Sequence, residues 1–362
     1  MIEFKWNASD DPFCDPYPLP DSNNHQLFLH QGKACSDTLG QITSYAAAQL
    51  GSQFRMCIYS ILIINDKAWL IQWDRTGTIV TEAISYNEDA ELAELFCQYH
   101  KAPPNVRGVN TTVTKPTAEE IQLARKGMLL GEDTLLVKMT VPISNSEQSY
   151  IIPVPKAEPY TPPGCATHGF VAWDLHRNRK VFVKDTWRVD LPGIEREGET
   201  YQLMEEAQVI NIAPCSAAGD IEDHGMHMHL YTDELWACKP QKILVPHHHY
   251  RLVLDVIGEL LTNFSSSLEM ISVLVDALTG KWPLHCGSAL LISSTLAHED
   301  AYNKAGVLHH DISIGNIMIT KGHGILIDWD LSRVKQDPSV DDKVRQPMRM
   351  VSPALNCPIM LL

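Results

Sequence analysis

Residues 307–332 read VLHHDISIGNIMITKGHGILIDWDLS, and the reading of this stretch decides how the rest of the chain is understood. His309, His310 and Asp311 are followed by Asn316, five residues after the aspartate, and then by Asp328, Trp329 and Asp330. IMIT and GILID have the apolar, β-branched character of two short strands, and Lys321, Gly322, His323 and Gly324 have that of the turn joining them. Such a hairpin brings Asn316 and Asp328 to neighbouring strand ends. Transfer of a phosphoryl group from a metal-bound nucleotide needs an amide and a carboxylate there, and a second carboxylate to orient the attacking hydroxyl. Asp311 has the spacing for that second role.

The same chemistry needs a lysine on an apolar strand and an acidic partner for it on the next helix. Val181, Phe182, Val183 and Lys184 form such a strand, and residues 194–204 read as the helix. Glu199 is the expected partner, from its distance to Lys184 and because Leu203 follows four residues later. Glu195 shares its face one turn earlier, and Glu197 stays open as an alternative. Further upstream, residues 164–171, GCATHGFV, fit a G-x-G-x-x-G-x-V loop with Ala166 at the middle glycine. Glycine at such positions lets backbone N–H groups approach phosphates with no Cβ in the way. Lys184 comes thirteen residues after Val171, a suitable length for two strands and a turn.

These features, in this order, resemble the fungal-type protein kinase family, a divergent branch of the protein-kinase-like fold. The segments GFVAWD, VFVKDTW, EGETYQLM, HHHYRLVLDVIG, AGVLHHDISIGNIMI and LIDWDLS carry the resemblance. GQITSYAAAQLGSQFRMCIYSILIINDKAWLIQWDRTGTIVTEAISY is similar to the family's region ahead of the kinase lobes. The resemblance implies an α+β, two-lobe kinase-like fold preceded by a small α/β domain. It implies ATP and Mg²⁺ as cofactors and a protein Ser or Thr hydroxyl as acceptor. Carried over residue by residue, Asp311 is the catalytic aspartate, and Asn316 and Asp328 ligate Mg²⁺. Lys184 contacts the nucleotide phosphates and Glu199 holds it. Gly164, Ala166 and Gly169 line the phosphate loop, with Val171 on the strand that follows. Residues 251–254 become the strand before the hinge, and Asp255 to Gly258 the hinge beside the adenine.

The chain departs from the family pattern in ways that bear on activity. His310 stands where H-R-D has arginine, Ser313 where many kinases have a lysine, and Trp329 and Asp330 where D-F-G has Phe and Gly. Without a lysine at 313, transition-state charge must be met by the metal and Lys184. These changes keep open a second implication, a pseudokinase-like module that binds a nucleotide or partner without catalysis. Residues 279–296, TGKWPLHCGSALLISSTL, interrupt an otherwise continuous helical pattern and are expected to be an aberrant insert. The tail 349–362 loses the resemblance, so the lower lobe is expected to be truncated, leaving apolar surface exposed around residues 273–275 and on the catalytic hairpin.

Bulk properties narrow the field further. The chain has 362 residues, 44% hydrophobic and 20% charged, as a globular protein does. A net charge of −15 argues against a nucleic-acid backbone as partner. Nine cysteines without C-x-x-C pairs, and a start lacking the charged-then-apolar pattern of a signal peptide, point to an intracellular protein of the cytosol or nucleus. No apolar run approaches the length of a membrane span.

Five segments are expected: a loose Pro-rich stretch 1–36, an α/β domain 37–155, a nucleotide lobe and hinge 160–258, a partial second lobe 259–335, and an activation segment and tail 336–362. Within the α/β domain, Asp74, Arg75 and Glu82 stand at strand ends and read as turn and edge charges. His224, His227, His229 and the run 247–249 have no Cys or carboxylate at a zinc spacing and do not read as a metal site.

Overall fold

Alternating and continuous apolar runs build two large sheets and a lower layer of helices and short strands in the computed structural model. It describes residues 1–15, 28–143, 146–155, 161–226, 228–231, 244–278, 297–335 and 359–361. The first unit contains β1 (Ile2–Lys5), α1 (Lys33–Ser52), β2 (Ile58–Ile64), β3 (Lys67–Trp73), β4 (Thr78–Val80) and α2 (Glu91–Lys101). β2 and β3 form an antiparallel hairpin in which Ile64 faces Lys67, and Asn65 takes the left-handed conformation that the tight turn requires. Asp74 closes the next turn by accepting the N–H groups of Thr76 and Gly77 at 2.7 and 2.9 Å. Ile42, Leu50, Leu62, Trp69 and Trp73 form its core beneath α1.

The amino terminus is not loose throughout. Ile2 to Lys5 pair in parallel with β2, and Phe13 and Phe28 stack at 5.1 Å and pack on Trp69. The partner strand lies almost sixty residues away, so local Pro-rich composition concealed the pairing. The I-E-F-K alternation was its one signal.

The second sheet contains β5 (Val113–Thr114), β6 (Leu136–Ile143), β7 (Ser146–Pro153), β8 (His168–Asp174), β9 (Arg179–Val189), β10 (Cys215–Gly225) and β11 (His247–Leu254). Its order is β10-β11-β9-β8-β7-β6-β5, with every pair antiparallel. Two helices belong to it, α3 (Ala118–Met128) and α4 (Glu197–Glu206). α3 begins with the capping box that its sequence announces, Thr117 against Glu120. β7 joins β8 through Tyr150 opposite Asp174 and Ile151 opposite Trp173. Strands on both sides of the boundary expected near residue 155 therefore belong to one sheet.

Below this sheet lie β12 (Glu259–Leu260), α5 (Ser267–Leu278), the short α6 (Ala297–Asp300) and the β13 strand (Val307–Leu308). They are followed by β14 (Ile317–Thr320), β15 (His323–Leu326) and β16 (Arg333–Val334), and β17 (Ile359–Leu361) returns to pair in parallel with β4. β14 and β15 form the hairpin read from the sequence, with Ile317 opposite Leu326. α5 crosses it so closely that a Cβ on Gly324 would stand 2.1 Å from the carbonyl oxygen of Val273. One core, including Tyr201, Met204, Leu252, Val273, Leu326 and Trp329, joins the upper sheet, α4, α5 and the hairpin. The chain is thus an α+β protein: an antiparallel sheet with its helices over a second layer that carries the hairpin.

Val273 itself is fully buried against the hairpin, while the apolar surface expected around its helix and the catalytic loop lies at Leu268 and Ile271 on the outer face of α5 and at Ile312 and Ile314 before the hairpin, all exposed. The supposed insert 279–296, His227 and the tail apart from β17 lie outside the described residues. Among the described residues, no helix is long and apolar enough to cross a membrane.

Candidate nucleotide site

β9 alternates its side chains between two faces. Lys184 faces the cleft between the two layers and is buried, and so is its partner on α4, Glu197. Lys184 Nζ donates to Glu197 Oε2 at 2.6 Å and also to Asp328 Oδ1, and lies 3.7 Å from Asp330. Burial alone would depress the lysine, but the carboxylates of Glu197, Asp330 and Asp328 outweigh it and hold the ammonium above its usual range. Burial pushes Glu197 up to about 7, against the pull of Lys184 and with the help of Asp328 and Asp330.

Glu197, not Glu199, is thus the acid on Lys184. α4 begins at Glu197 after Arg196, which places Glu199 at the third helical position. There its carboxylate turns back to accept the backbone N–H of Arg196 at 3.1 Å and to pair with the Arg196 guanidinium, exposed to solvent. Glu195 precedes the helix.

The lower half of the site comes from the hairpin and the loop before it. Asn316 and Ile327 face each other across the hairpin mouth, with Ile327 N–H donating to Asn316 O at 2.9 Å. Asp328 follows directly, in a left-handed conformation. Asn316 Nδ2 donates to the Asp311 carbonyl at 2.8 Å and to its carboxylate at 3.2 Å. His309 is fully buried; its Nδ1 accepts Asp311 N–H at 3.2 Å and its Nε2 pairs with Ile327 O at 2.9 Å. Its ring meets Trp329 edge-on at 4.5 Å. This single histidine ties the loop to the hairpin's far strand. Burial first, and His298 in addition, push its pKa down, so the neutral form holds both contacts.

The remaining residues named from sequence are spread around this centre. Gly169 lies opposite Lys184 on β8, and Phe182 lies opposite Val171. A Cβ on Gly169 would come within 2.7 Å of the Phe182 ring, so glycine is needed there for packing. Val171 is partly exposed, and Gly164 and Ala166 sit in the turn that leads into β8, both at positive φ. Asp255 follows β11, as the hinge reading requires. Its carboxylate is taken by Arg177, at 2.9 Å, and by Arg179 from the β8–β9 turn.

Sequence reasoning did not single out the polar network on the other face of β9. Asp185 accepts His249 at 2.8 Å and Arg251 at 2.7 Å, all three buried, and His224 meets His249 at 3.0 Å. Burial alone would raise Asp185, but His249 and Arg251 hold its carboxyl far below the usual range. The strict alternation of β9 around Lys184 was a signal that Asp185 must face a buried partner.

Lys184, Glu197, Asp328, Asn316 and Asp311 therefore converge from three elements. The donor set suits Mg²⁺: Asn316 commits its amide N–H group to Asp311 and keeps its amide oxygen, and Asp328 adds a carboxylate, both hard oxygen donors.

Comparisons with known proteins bear on part of the chain. Residues 232–346 match the family model described as fungal protein kinase. No curated protein matches the chain. Among solved structures, the ROP18 kinase domain in complex with AMP-PNP and sucrose is 13% identical, with a TM-score of 0.32. That match covers 62% of this chain, which spans 63% of the length of that one. Over residues 232–346, the segment that holds α5 and the hairpin, the chain is similar to the fungal protein kinase family.

Proposed function

We propose that this chain binds Mg-ATP between its two layers and transfers the γ-phosphoryl group to a Ser or Thr hydroxyl of a protein. The observation that carries the reading is the placement of Lys184 Nζ between Glu197, at 2.6 Å, and Asp328. A buried lysine shared by a helix acid and a hairpin-end acid is a cost to the fold. It becomes useful when a polyphosphate enters and the lysine and Asp328 divide its charge.

In this reading Lys184 binds the phosphate oxygens and Glu197 keeps the ammonium fixed. Asp311 accepts a hydrogen bond from the acceptor hydroxyl and orients it for in-line attack. Asn316 fixes the Asp311 carboxylate through its 3.2 Å contact. Asn316 and Asp328 would hold Mg²⁺, which when bound supplies neutralisation of the phosphate charge. His309 and Trp329 keep loop and hairpin in register, so that these groups are prepositioned.

A second reading, nucleotide binding without transfer, is favoured by one observation. Asp330 lies 3.7 Å from Lys184 and adds a third carboxylate to the place where phosphates must sit. The test is incorporation of labelled phosphate from Mg-ATP by the purified chain beside an Asp311→Asn variant. Incorporation by the parent and none by the variant supports transfer. Mg-dependent ATP binding by both, without incorporation, supports the second reading. Absence of binding in a folded parent overturns both.

A further inference from the structure

Arg75 stands in the turn between β3 and β4, outside the sheet that carries Lys184, yet only 3% of it is exposed. Its guanidinium donates to the Leu50 carbonyl in the last turn of α1 and to the Pro162 carbonyl, each at 3.1 Å. Its own carbonyl accepts the Gly164 N–H at 2.9 Å. One residue therefore grips the turn ahead of β8 at two points and fastens it to the end of α1. From the other side, Trp187 N–H donates to the Cys165 carbonyl at 2.8 Å, and the Thr167 and Thr186 hydroxyls pair at 2.8 Å.

Two further observations show that this grip is specific. The neighbouring Asp74 carboxylate closes the β3–β4 turn, so the Arg75 backbone is held as firmly as its side chain. Gly164 has φ +114° and Ala166 has φ +40°, conformations that a free loop would not keep, least of all at an alanine. Behind the turn lies a small cavity of about 20 Å³, lined among others by Leu50, Arg75, Ala166, Asp185 and His249, with room for one water. Arg75 Nε has no protein partner. Within the first unit, Arg75 serves the Leu50 carbonyl near the end of α1. The hydrogen bonds to Pro162 and Gly164 serve the turn of the second sheet.

We propose that Arg75 is a positioning residue that holds the turn 162–166 in the conformation used to receive nucleotide phosphates, and so couples the first α/β unit to the nucleotide site. The proposal rests on the Mg-nucleotide reading above. A turn ordered before the ligand arrives costs less to order on binding. Lysine in place of Arg75 keeps the charge but cannot span Leu50 and Pro162 together, because it lacks the forked donors.

The test combines hydrogen exchange with binding of the fluorescent nucleotide TNP-ATP in Mg²⁺, on the full chain and an Arg75→Lys variant shown to be folded by its melting curve. In the parent, the Gly164 amide is expected to exchange as slowly as the amides of β9. Exchange at the rate of an open loop overturns the proposal, and this arm needs no variant to fold. In Arg75→Lys, exchange across 161–167 is expected to rise at least about tenfold, and TNP-ATP affinity to fall about tenfold, the loss of one charge-assisted hydrogen bond. Faster exchange with unchanged or tighter affinity overturns the positioning role. A parent that protects Gly164 but binds no TNP-ATP refutes the nucleotide reading and the positioning role with it, while a parent that binds TNP-ATP with Gly164 unprotected refutes the clamp alone.

Discussion

Trp329 donates its backbone N–H to Glu197 Oε1 at 3.1 Å, while the other oxygen of the same carboxylate takes Lys184 at 2.6 Å. One acid on α4 therefore fixes both the lysine and the residue after Asp328. Replacing Glu197 by Gln leaves Lys184 to Asp328 and Asp330 and weakens the Trp329 anchor. Breaking a buried pair in this way is expected to cost about 2 kcal/mol or more. Phosphoryl transfer should fall at least about a hundredfold, on the order of one lost transition-state contact. Glu199→Gln, on the exposed side of the same helix, should stay within about 0.5 kcal/mol of the parent. Urea denaturation and a transfer assay on both variants give the comparison; equal effects would contradict the assignment.

Asp330 offers the opposite sign. It adds negative charge 3.7 Å from the lysine proposed to meet phosphates. Asp330→Asn should tighten Mg-nucleotide binding by a few-fold, on the order of 1 kcal/mol for a partly screened charge. Titration with TNP-ATP decides it, and weaker binding by the variant would show that Asp330 serves the metal instead.

Gly324 is where α5 and the hairpin approach most closely. A methyl group there meets the Val273 carbonyl at 2.1 Å, and backbone cannot rotate away as a side chain can. Gly324→Ala should cost about 2 kcal/mol or more by forcing the two elements apart. Thermal unfolding measures this. A Gly322→Ala control probes a turn glycine that has open space around it but a φ of +77°, so its loss should be near 1 kcal/mol, from the backbone alone.

His224 predicts acid sensitivity. Burial, followed by the neighbouring His249 and Arg251, pushes its pKa down to about 3 from an ordinary 6.5. The folded chain thus keeps it neutral where the unfolded chain protonates it. Its contribution is complete above about pH 6.5 and is lost as pH falls toward 3, with a slope of up to about 1.4 kcal/mol per pH unit. His224→Gln should flatten that branch of the stability curve. An unchanged slope would place the titrating group elsewhere.

Much of this architecture was legible because it is local. The hairpin 317–326, the lysine strand and the capping box at Thr117 are each set by residues within a few positions of one another. What escaped the sequence reading depends on partners far away or on helical phase. β1 is defined by β2, and the junction of β7 with β8 by a pairing across a long connection. Glu197 and Glu199 differ by two residues, about half a turn of helix, so they face opposite sides of α4, and which side meets β9 depends on packing that the local sequence does not show. The Asp185, His249 and Arg251 network needs three strands to be placed before any of its members can be seen as partners.

The continuity of the seven-stranded sheet sets a limit on where this polypeptide can be cut. A fragment starting near residue 160 would retain every group proposed to meet the nucleotide, yet β8 would lose β7 and become a bare margin with Phe170 and Ala172 deprived of neighbours on β7 and β6. Bare strand margins recruit other chains. Such a fragment would be expected to associate with copies of itself, so that its failure in an assay would report the missing strands rather than the chemistry of Asp311.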